Sequence, residues 1–218
     1  MLKNTLKNIL ILDTSTDACT IALNAQGKIF TFHELGKLRH NQLLIPGIQD
    51  LLNQAQIKPS DLNEIYFGHG PGSFTGTRIS AALTIGLAMG VHIKPQSVSS
   101  FELLAQGIYK NFGFSHVLIL QDAQKSQAYL AGYEFIAHQI HTLIAPCLIN
   151  PEQILELLNS KNLRELPWSG TGDAWFLLQE KLKNSLPEMT NLRFNPQAEN
   201  WQPRAEDGFD LIAQNKFY

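Results

Sequence analysis

The sequence has few cysteines, almost no net charge and no long apolar run. Only Cys19 and Cys147 occur among 218 residues, and a chain of this length buries enough surface to fold without a disulfide framework. Lys and Arg number 17 against 19 for Asp and Glu, so the formal charge of -2 argues against unaided binding of tRNA or DNA, which usually needs a basic surface. No stretch approaches the roughly 18 apolar residues of a membrane span, and the run Ile9–Leu12 is too short for a signal peptide. We therefore expect a cytoplasmic protein without a membrane segment.

Common catalytic motifs are missing as well. The sequence has no Gly-x-Ser-x-Gly nucleophile motif, no Gly-Lys-Ser/Thr phosphate loop and no His-Glu-x-x-His zinc helix. Serine-hydrolase and zinc-peptidase chemistry therefore have no support. We expect neither a catalytic residue nor a metal site in this chain.

One segment stands out, the glycine-rich run from Gly68 to Arg78, with the sequence Gly-His-Gly-Pro-Gly-Ser-Phe-Thr-Gly-Thr-Arg. The residues Ile65–Phe67 before it are typical of a short buried strand, and Thr77–Gly90 after it has the pattern of a helix. The first N–H groups of that helix would point into the loop, a geometry that suits a phosphate. The spacing matches neither the dinucleotide fingerprint nor the Walker loop, so a structural turn fits the segment equally well. Both alternatives stay open on the sequence alone.

Apolar runs and turn residues predict an α/β protein of two lobes. Three short strands open the chain, and His40–Ala55 has helical spacing, although Pro46 should start or kink that helix. The order strand, Asp, polar turn, strand recurs in the second half, which indicates duplicated lobes. Ser169–Asp173 has the composition of a loop. We place an N-terminal lobe at residues 1–110 and a smaller C-terminal lobe at residues 111–218, each a mixed sheet flanked by helices.

The helix after the glycine loop has small residues at every fourth position. A face without side-chain bulk lets another helix approach closely. Ile79, Leu83 and Leu87 form a separate apolar stripe for the core, which would leave the small-residue face free; alternatively, the small residues lie against the chain's own sheet. Together with an apolar stripe of the His40–Ala55 helix, the small-residue face predicts an interface with a partner. The interface residues are Leu44, Ile48, Leu51, Gly76, Ser80, Thr84 and Ala88.

Four motifs resemble one protein family. They are Ile11–Ser15, Gly70–Arg78, Asp122-Ala123 followed by Tyr129, and Pro203-x-Ala205. Two strand–Asp–hydroxyl hairpins with a glycine loop are similar to the two-lobe actin/sugar-kinase/Hsp70-like (RNase H-like) architecture. Within it, the motifs resemble the TsaB family of bacterial tRNA threonylcarbamoyladenosine biosynthesis proteins. The resemblance implies that fold, and it implies a non-catalytic partner of TsaD that works with TsaE to place a threonylcarbamoyl group on the adenosine beside the anticodon of certain tRNAs.

The resemblance also bears on the residues after the first strand. In the wider ATPase group, the residue at the position of Asp13 holds a metal through water, and hydroxyls at the positions of Thr14 and Ser15 contact phosphate. That group prefers Gly where Ser15 stands, so a hairpin closed by Asp13 and Thr14 is the simpler alternative. We expect at most weak nucleotide or phosphate binding. The candidate residues are Asp13, Thr14, Ser15, Gly70, Gly72 and Ser73.

The catalytic relative TsaD binds a metal through two histidines four residues apart. Val98 and Glu102 stand at those positions here, and Val cannot ligate a metal. We therefore expect no metal and no cofactor of the chain's own, with ATP or ADP held at most at an interface with partners. The implied partners are TsaD as a heterodimer, TsaE, and a second copy of the chain when TsaD is absent, with tRNA reached only through the complex. Two alternatives remain, an ATP-using small-molecule kinase or ATPase of the same fold and a homodimeric interaction protein without a ligand.

Overall fold

The first sheet has five strands in the order β3-β2-β1-β4-β5. A computed structural model describes residues 7–36, 39–182 and 186–215, and every element named below lies within them. The strands are β1 (Ile9–Asp13), β2 (Ala18–Ala25), β3 (Lys28–Leu35), β4 (Glu64–Gly68) and β5 (Pro95–Val98). The first three form an antiparallel meander, whereas β4 and β5 run parallel to β1. β1 is buried along its whole length, which explains its unbroken apolar run.

The second sheet repeats this topology. Its strands are β6 (His116–Asp122), β7 (Ala128–Ile136), β8 (Gln139–Ile149), β9 (Ser169–Thr171) and β10 (Arg193–Phe194). The order is β10-β9-β6-β7-β8, with β6, β7 and β8 antiparallel and with β9 and β10 parallel to β6. Both sheets thus place an antiparallel meander beside two parallel strands, as in the RNase H-like fold. The predicted two-lobe α/β architecture with mixed sheets is confirmed.

Helices connect the parallel strands and follow the second sheet. They are α1 (His40–Ala55), α2 (Phe74–Gly90), α3 (Ser100–Phe112), α4 (Ile154–Ser160), α5 (Ala174–Leu177), α6 (Gln179–Leu182), α7 (Pro196–Glu199) and α8 (Gly208–Asn215). α1 has the predicted bounds and runs through Pro46, so the helix does not start there. Within the described residues, no helix is long and apolar enough to cross a bilayer.

Each sheet has its own apolar core. In the first, Leu10 and Leu12 of β1 pack with buried residues of β2 and α1. In the second, Leu118 and Leu120 of β6 pack with the large side chain of Trp168. Because the apolar residues of each core come from the sheet and its own helices, the two halves are separately packed.

The chain divides into two compact units, but not at the predicted boundary. The first unit comprises residues up to Leu104 together with those from Gln202 onward, and the second runs from Ala105 to Trp201. The prediction assigned all of residues 111–218 to the second lobe, so the placement of the C-terminal segment is corrected. That segment packs on the first sheet, where the N–H of Ala205 donates to the Oγ1 of Thr20 at 3.0 Å.

The prediction of a loop at Ser169–Asp173 is also wrong for its first three residues. Ser169–Thr171 is strand β9, which lies between β6 and β10 in the second sheet. The ring of Phe194 on β10 covers Gly170 so closely that a Cβ there would lie 2.5 Å from it. A three-residue strand of Ser, Gly and Thr has no apolar pattern, and only its pairing partners define it.

Candidate functional site

Local hydrogen bonds hold the glycine loop between β4 and α2. Gly70 has a φ of +88°, in the left-handed region that glycine adopts without strain, and the Gly70–Pro71 peptide is cis. Ser73 caps α2, because its Oγ accepts a hydrogen bond from the N–H of Gly76 at 3.2 Å. This cap explains why α2 begins at Phe74, three residues before the predicted start.

The predicted phosphate-binding residues lie together, but they are hydrogen-bonded to one another. The N–H of Ser73 donates to the carbonyl of Ser15 at 2.6 Å. Gly70 and Ser100 share two bonds of 3.0 Å, since the Gly70 N–H donates to the Ser100 Oγ and the Ser100 N–H donates to the Gly70 carbonyl. The Ser100 hydroxyl in turn donates to the carboxylate of Asp13. The β1–β2 turn, the glycine loop and the start of α3 therefore form one network.

Asp13 is at the centre of this network and is fully buried. Its Oδ1 accepts hydrogen bonds from the N–H of Ser15 at 2.8 Å and from the Ser15 Oγ at 2.7 Å, and its Oδ2 accepts the bond from Ser100. Burial raises the pKa of Asp13 above its usual value, whereas the bonds from Ser100 and Ser15 and the nearby His40 act to lower that pKa. Among the described residues, no three His, Cys, Asp or Glu side chains are grouped to hold a metal ion. Asp13 closes the β1–β2 hairpin, as the simpler alternative expects, whereas the Thr14 hydroxyl donates to the Gly76 carbonyl on α2 and takes no part in closing it.

The glycine loop and the β1–β2 turn are in direct contact, which leaves little room for a phosphate between them. A Cβ built on Gly72 would lie 2.9 Å from the Cβ of Ser15 and closer still to the Ser15 carbonyl oxygen. The N–H groups of Gly70 and Ser73 already have acceptors within the chain. Phosphate binding at this loop stays a prediction, and it would require these hydrogen bonds to be exchanged.

The small-residue stripe of α2 is buried, so its predicted exposure to a partner is wrong. Gly76, Ser80, Thr84 and Ala88 all face the interior, where α2 contacts β1, β4 and β5. The Oγ1 of Thr14 donates to the Gly76 carbonyl at 2.7 Å, and a Cβ on Gly76 would lie well under 3.0 Å from the Thr14 carbonyl oxygen. Small residues let the helix lie close to its own sheet, which was the alternative explanation of the stripe.

The three α1 residues assigned to the interface are core residues too. Leu44, Ile48 and Leu51 are buried in the apolar cluster that includes β1 and β2. The apolar stripe of α1 therefore faces the sheet, as the stripe of an amphipathic helix normally does. None of the seven predicted interface residues is available on the surface of the first unit.

A different face of the same two helices is apolar and exposed. The exposed fraction is 72% for Phe74, 70% for Met89, 59% for Ile45 and 43% for Ile85. α2 also exposes Ala82, Gly86 and Gly90, and a Cβ on either glycine would meet no atom within 4 Å. We call these seven residues the docking face. Its signal in the sequence is a second set of small residues at four-residue spacing, which the sequence prediction overlooked in favour of the buried set.

Arg78 lies on the first turns of α2, between Phe74 and Ala82 of the docking face. Its guanidinium carbon lies 3.2 Å from the centroid of the Phe74 ring, in a cation–π stack. Phe74 and Arg78 are one helical turn apart, so the stack is a local feature of α2. The stack gives Arg78 a fixed direction, although the sequence alone assigns this residue no role.

The turn after β6 in the second unit has a related but more exposed arrangement. The N–H of Asp122 donates to the Oδ1 of Asp173 at 2.8 Å, and the Oδ1 of Asp122 accepts a bond from the N–H of Gln124 at 3.0 Å. Asp122 therefore stabilises its own turn, as expected of an Asp at the end of a strand.

Comparison of the sequence with known proteins identifies the family of this chain. A family model described as "TsaD: tRNA N6-adenosine threonylcarbamoyltransferase" matches residues 34–192, which include α1, the glycine loop and α2. A relative from Escherichia coli K12, "tRNA threonylcarbamoyladenosine biosynthesis protein TsaB", is 33% identical over 168 residues, or 77% of this chain and 71% of the relative. The chain belongs to the TsaB family. A TsaB protein from Haemophilus influenzae is 30% identical over 176 residues, or 76% of this chain and 72% of that protein.

A solved structure of the same fold covers nearly the whole chain. The solved structure of "YeaZ from Pseudomonas aeruginosa" is similar with a TM-score of 0.79 and 27% identity, covering 95% of this chain and 91% of that one. The agreement includes both sheets, since neither alone could account for that coverage. It supports the two-lobe architecture independently of the sequence motifs.

Proposed function

We propose that this protein is a non-catalytic partner of TsaD in the formation of threonylcarbamoyladenosine beside the anticodon of tRNA. Its TsaB relatives are named for the biosynthesis of that nucleoside. The observation that carries the proposed partnership is the docking face, because four large apolar side chains exposed on two adjacent helices need a partner to cover them. An interface of standard size, about 1,200–2,000 Å² in total, is within reach of two such helices.

The match to the TsaD family model supports TsaD as that partner. The match runs through α1 and α2, so we expect TsaD to have an equivalent pair of helices. Two similar helix pairs can pack face to face as a four-helix layer. The exposed small residues Ala82, Gly86 and Gly90 would let a partner helix approach the backbone of α2 closely.

The network around Asp13 supports a structural role rather than catalysis. Its carboxylate is buried and accepts three hydrogen bonds from its own chain. Val98 and Glu102, which stand where TsaD has its metal-binding histidines, offer no equivalent pair of ligands, and burial raises the pKa of Glu102. We propose that the catalytic groups lie on TsaD, that TsaE and ATP or ADP join at the assembled complex in the cytoplasm, and that tRNA is reached only through that complex.

Reconstitution of the modification reaction tests the proposal. TsaD, TsaE, threonylcarbamoyl-adenylate and tRNA are combined with the wild-type chain or with Ile85→Arg plus Met89→Arg. Both residues are exposed, so the double variant should fold normally, fail to bind TsaD and lose nearly all activity in the assay. Ile29→Arg is the matched control, an exposed isoleucine on β3 outside the docking face. If the tRNA is modified equally well with the double variant, or without the chain, the proposal is wrong.

Variants of the buried small-residue stripe of α2 cannot replace the docking-face variant in this assay. Arginine at Ser80 or Thr84 would place a charge inside the core and unfold the first unit, so a loss of activity would say nothing about the interface. The kinase or ATPase alternative needs a separate measurement, namely ATP turnover by the purified chain. Appreciable metal-dependent hydrolysis would contradict the non-catalytic role.

A further inference from the structure

A serine, a histidine and a carboxylate lie next to one another at the start of the second sheet. Ser115 directly precedes β6, His116 is the first residue of β6, and Glu134 lies opposite His116 on β7. The Oγ of Ser115 lies 3.1 Å from the Nδ1 of His116, and the Nε2 of His116 lies 3.2 Å from the Oε1 of Glu134. The two nitrogens of one imidazole therefore contact a hydroxyl and a carboxylate. The sequence has no motif for this cluster, because only the pairing of β6 with β7 brings Glu134 to His116.

The surroundings of His116 determine which of its nitrogens can act as a base. Its ring packs in a T-shaped arrangement against the buried ring of Trp168, with centroids 5.8 Å apart. Nε2 is buried beside the Glu134 carboxylate, although its N–H does not point straight at that group; such hydrogen bonds are commonly loose until a substrate binds. Because a carboxylate only accepts hydrogen bonds, it favours the tautomer with the proton on Nε2. Nδ1 then has no proton and accepts the hydrogen bond from the Ser115 hydroxyl.

The Ser115 hydroxyl lies in an accessible turn. Ser115 is exposed, and a Cβ on the nearby Gly113 would meet no atom within 4 Å, so the chain does not crowd this side of the turn. Within the described residues, the N–H groups of Phe114 and Ser115 have no acceptor. The N–H of a nucleophilic serine is a common donor to the oxyanion that forms when its hydroxyl attacks a carbonyl group. Ser115 therefore has a base, a route for a reagent and a free N–H donor.

We propose that Ser115 is a nucleophile that accepts an acyl or carbamoyl group from an activated ester or mixed anhydride. His116 is its general base, and Glu134 is the positioning residue that orients His116. A hydroxyl, a base and a group that orients the base form the arrangement that activates serine on unrelated folds. The inference goes beyond the proposed function, because neither TsaD nor tRNA takes part in this reaction.

The proposed transfer needs no further reactant. The Oγ of Ser115 forms a bond to the carbonyl carbon of the donor, and the proton of the hydroxyl passes to the Nδ1 of His116. The bond between the carbonyl carbon and the leaving oxygen then breaks, and that oxygen takes the proton from Nδ1. The products are a serine ester and the protonated leaving group, and His116 returns to its starting state.

Reaction with 4-nitrophenyl dimethylcarbamate tests the proposal. The purified full chain is mixed with this reagent, the release of 4-nitrophenol is followed in time, and the carbamoylated residue is identified by mass spectrometry of peptides. Wild type should carry about one carbamoyl group per chain, on Ser115. Ser115→Ala should fold normally, because the residue is exposed, and should lose this reaction. Ser160→Ala is the matched control, since Ser160 is exposed and its hydroxyl donates to the Leu157 carbonyl at 2.8 Å, and it should react like wild type.

Two further variants test the base and its positioning residue. His116→Gln should slow carbamoylation of Ser115 about 100-fold or more, the usual effect of removing a general base. Glu134→Gln should slow it about tenfold while the final extent stays at about one group per chain, whereas damage to the fold would lower the extent. Circular dichroism shows whether each variant is folded, and Glu134→Gln decides the question if His116→Gln is not.

Three results would overturn the proposal. It is wrong if the carbamoyl group is found on other residues and not on Ser115, or if Ser115→Ala reacts as fast as wild type. It is also wrong if folded Glu134→Gln carbamoylates Ser115 at the wild-type rate, because the carboxylate would then have no part in orienting His116.

Discussion

Two glycines ten residues apart on α2 should respond in opposite ways to the same substitution. Gly76 lies against the β1–β2 turn, where a Cβ would come well under 3.0 Å from the carbonyl oxygen of Thr14. Gly86 lies on the docking face, where a Cβ would meet nothing within 4 Å. Alanine is the better helix former at both positions. Both substitutions gain the same helix propensity, so a difference between their effects on stability reports the packing of the new Cβ.

The magnitudes follow from three contributions. Overpacking against a backbone atom costs about 1–3 kcal/mol, because backbone cannot rotate away as a side chain can. Displacing α2 also weakens the bond from Thr14 to the Gly76 carbonyl, worth about 1 kcal/mol. Replacing glycine by alanine returns up to about 1 kcal/mol in helix propensity. We expect Gly76→Ala to destabilise the fold by about 2 kcal/mol and Gly86→Ala to stabilise the isolated chain by up to about 1 kcal/mol.

Thermal unfolding followed by circular dichroism measures both effects. For a chain of this size, 1 kcal/mol corresponds to roughly 2–4 °C, so Gly76→Ala should lower the melting temperature by roughly 4–8 °C. Gly86→Ala should raise it by up to roughly 4 °C when the chain is dilute. If Gly76→Ala melts with or above wild type, the contact between α2 and the turn is not as close as described. The explanation of the buried small-residue stripe would then fail.

Three further predictions concern the cysteines, the buried carboxyl and the docking face. Burial, and to a lesser extent the nearby charges of Glu34 and Asp13, raises the pKa of the Cys19 thiol to about 12. In a Cys147→Ser variant, iodoacetamide should therefore label Cys19 only after the protein unfolds. Rapid labelling of the native protein would contradict this prediction. Burial raises the pKa of Asp13 above 3.8, so the folded state binds more protons than the unfolded state above that pH, and stability from this group is lost as pH rises. Urea unfolding should therefore show the stability of Asp13→Asn increasing relative to wild type as the pH rises above about 3.8. A pH-independent difference would refute the assignment. Gly86→Ala should weaken binding to TsaD about tenfold in calorimetry if a partner helix approaches the α2 backbone closely, and unchanged affinity would argue against such close packing.

Elements with strong apolar periodicity could be predicted from the sequence. The bounds of α1, His40 to Ala55, follow from apolar residues at helical spacing, and the helix tolerates Pro46 in its interior. The predicted start of α2 is three residues late because the capping bond of Ser73 cannot be told from the spacing of apolar residues. β9 was missed because Ser, Gly and Thr give no strand signal without their neighbours.

The exposed face of α2 could not be predicted by the same means. Two sets of small residues recur at four-residue spacing on this helix, Gly76 to Ala88 and Ala82 to Gly90, and the sequence prediction assigns the first set to the free face. That prediction places the larger residues Ile79, Leu83 and Leu87 in the core. They are only partly buried, because α2 lies so close to its sheet that small residues occupy the contact. Helix-to-sheet distance is a tertiary property, and spacing in the sequence does not determine it.

That close contact also accounts for the spacing of glycines in the loop itself. Gly68, Gly72 and Gly76 are four residues apart, and a Cβ on them would strike, in turn, the side chain of Asp13, the backbone of Ser15 and the backbone of Thr14. Because each glycine has no side chain, one residue of the β1–β2 turn can pack against it. The chain's own turn occupies the space beside each of these three glycines. The glycine motif is therefore explained by packing at the first strand end, and substitutions in it should act on stability whether or not a nucleotide is present.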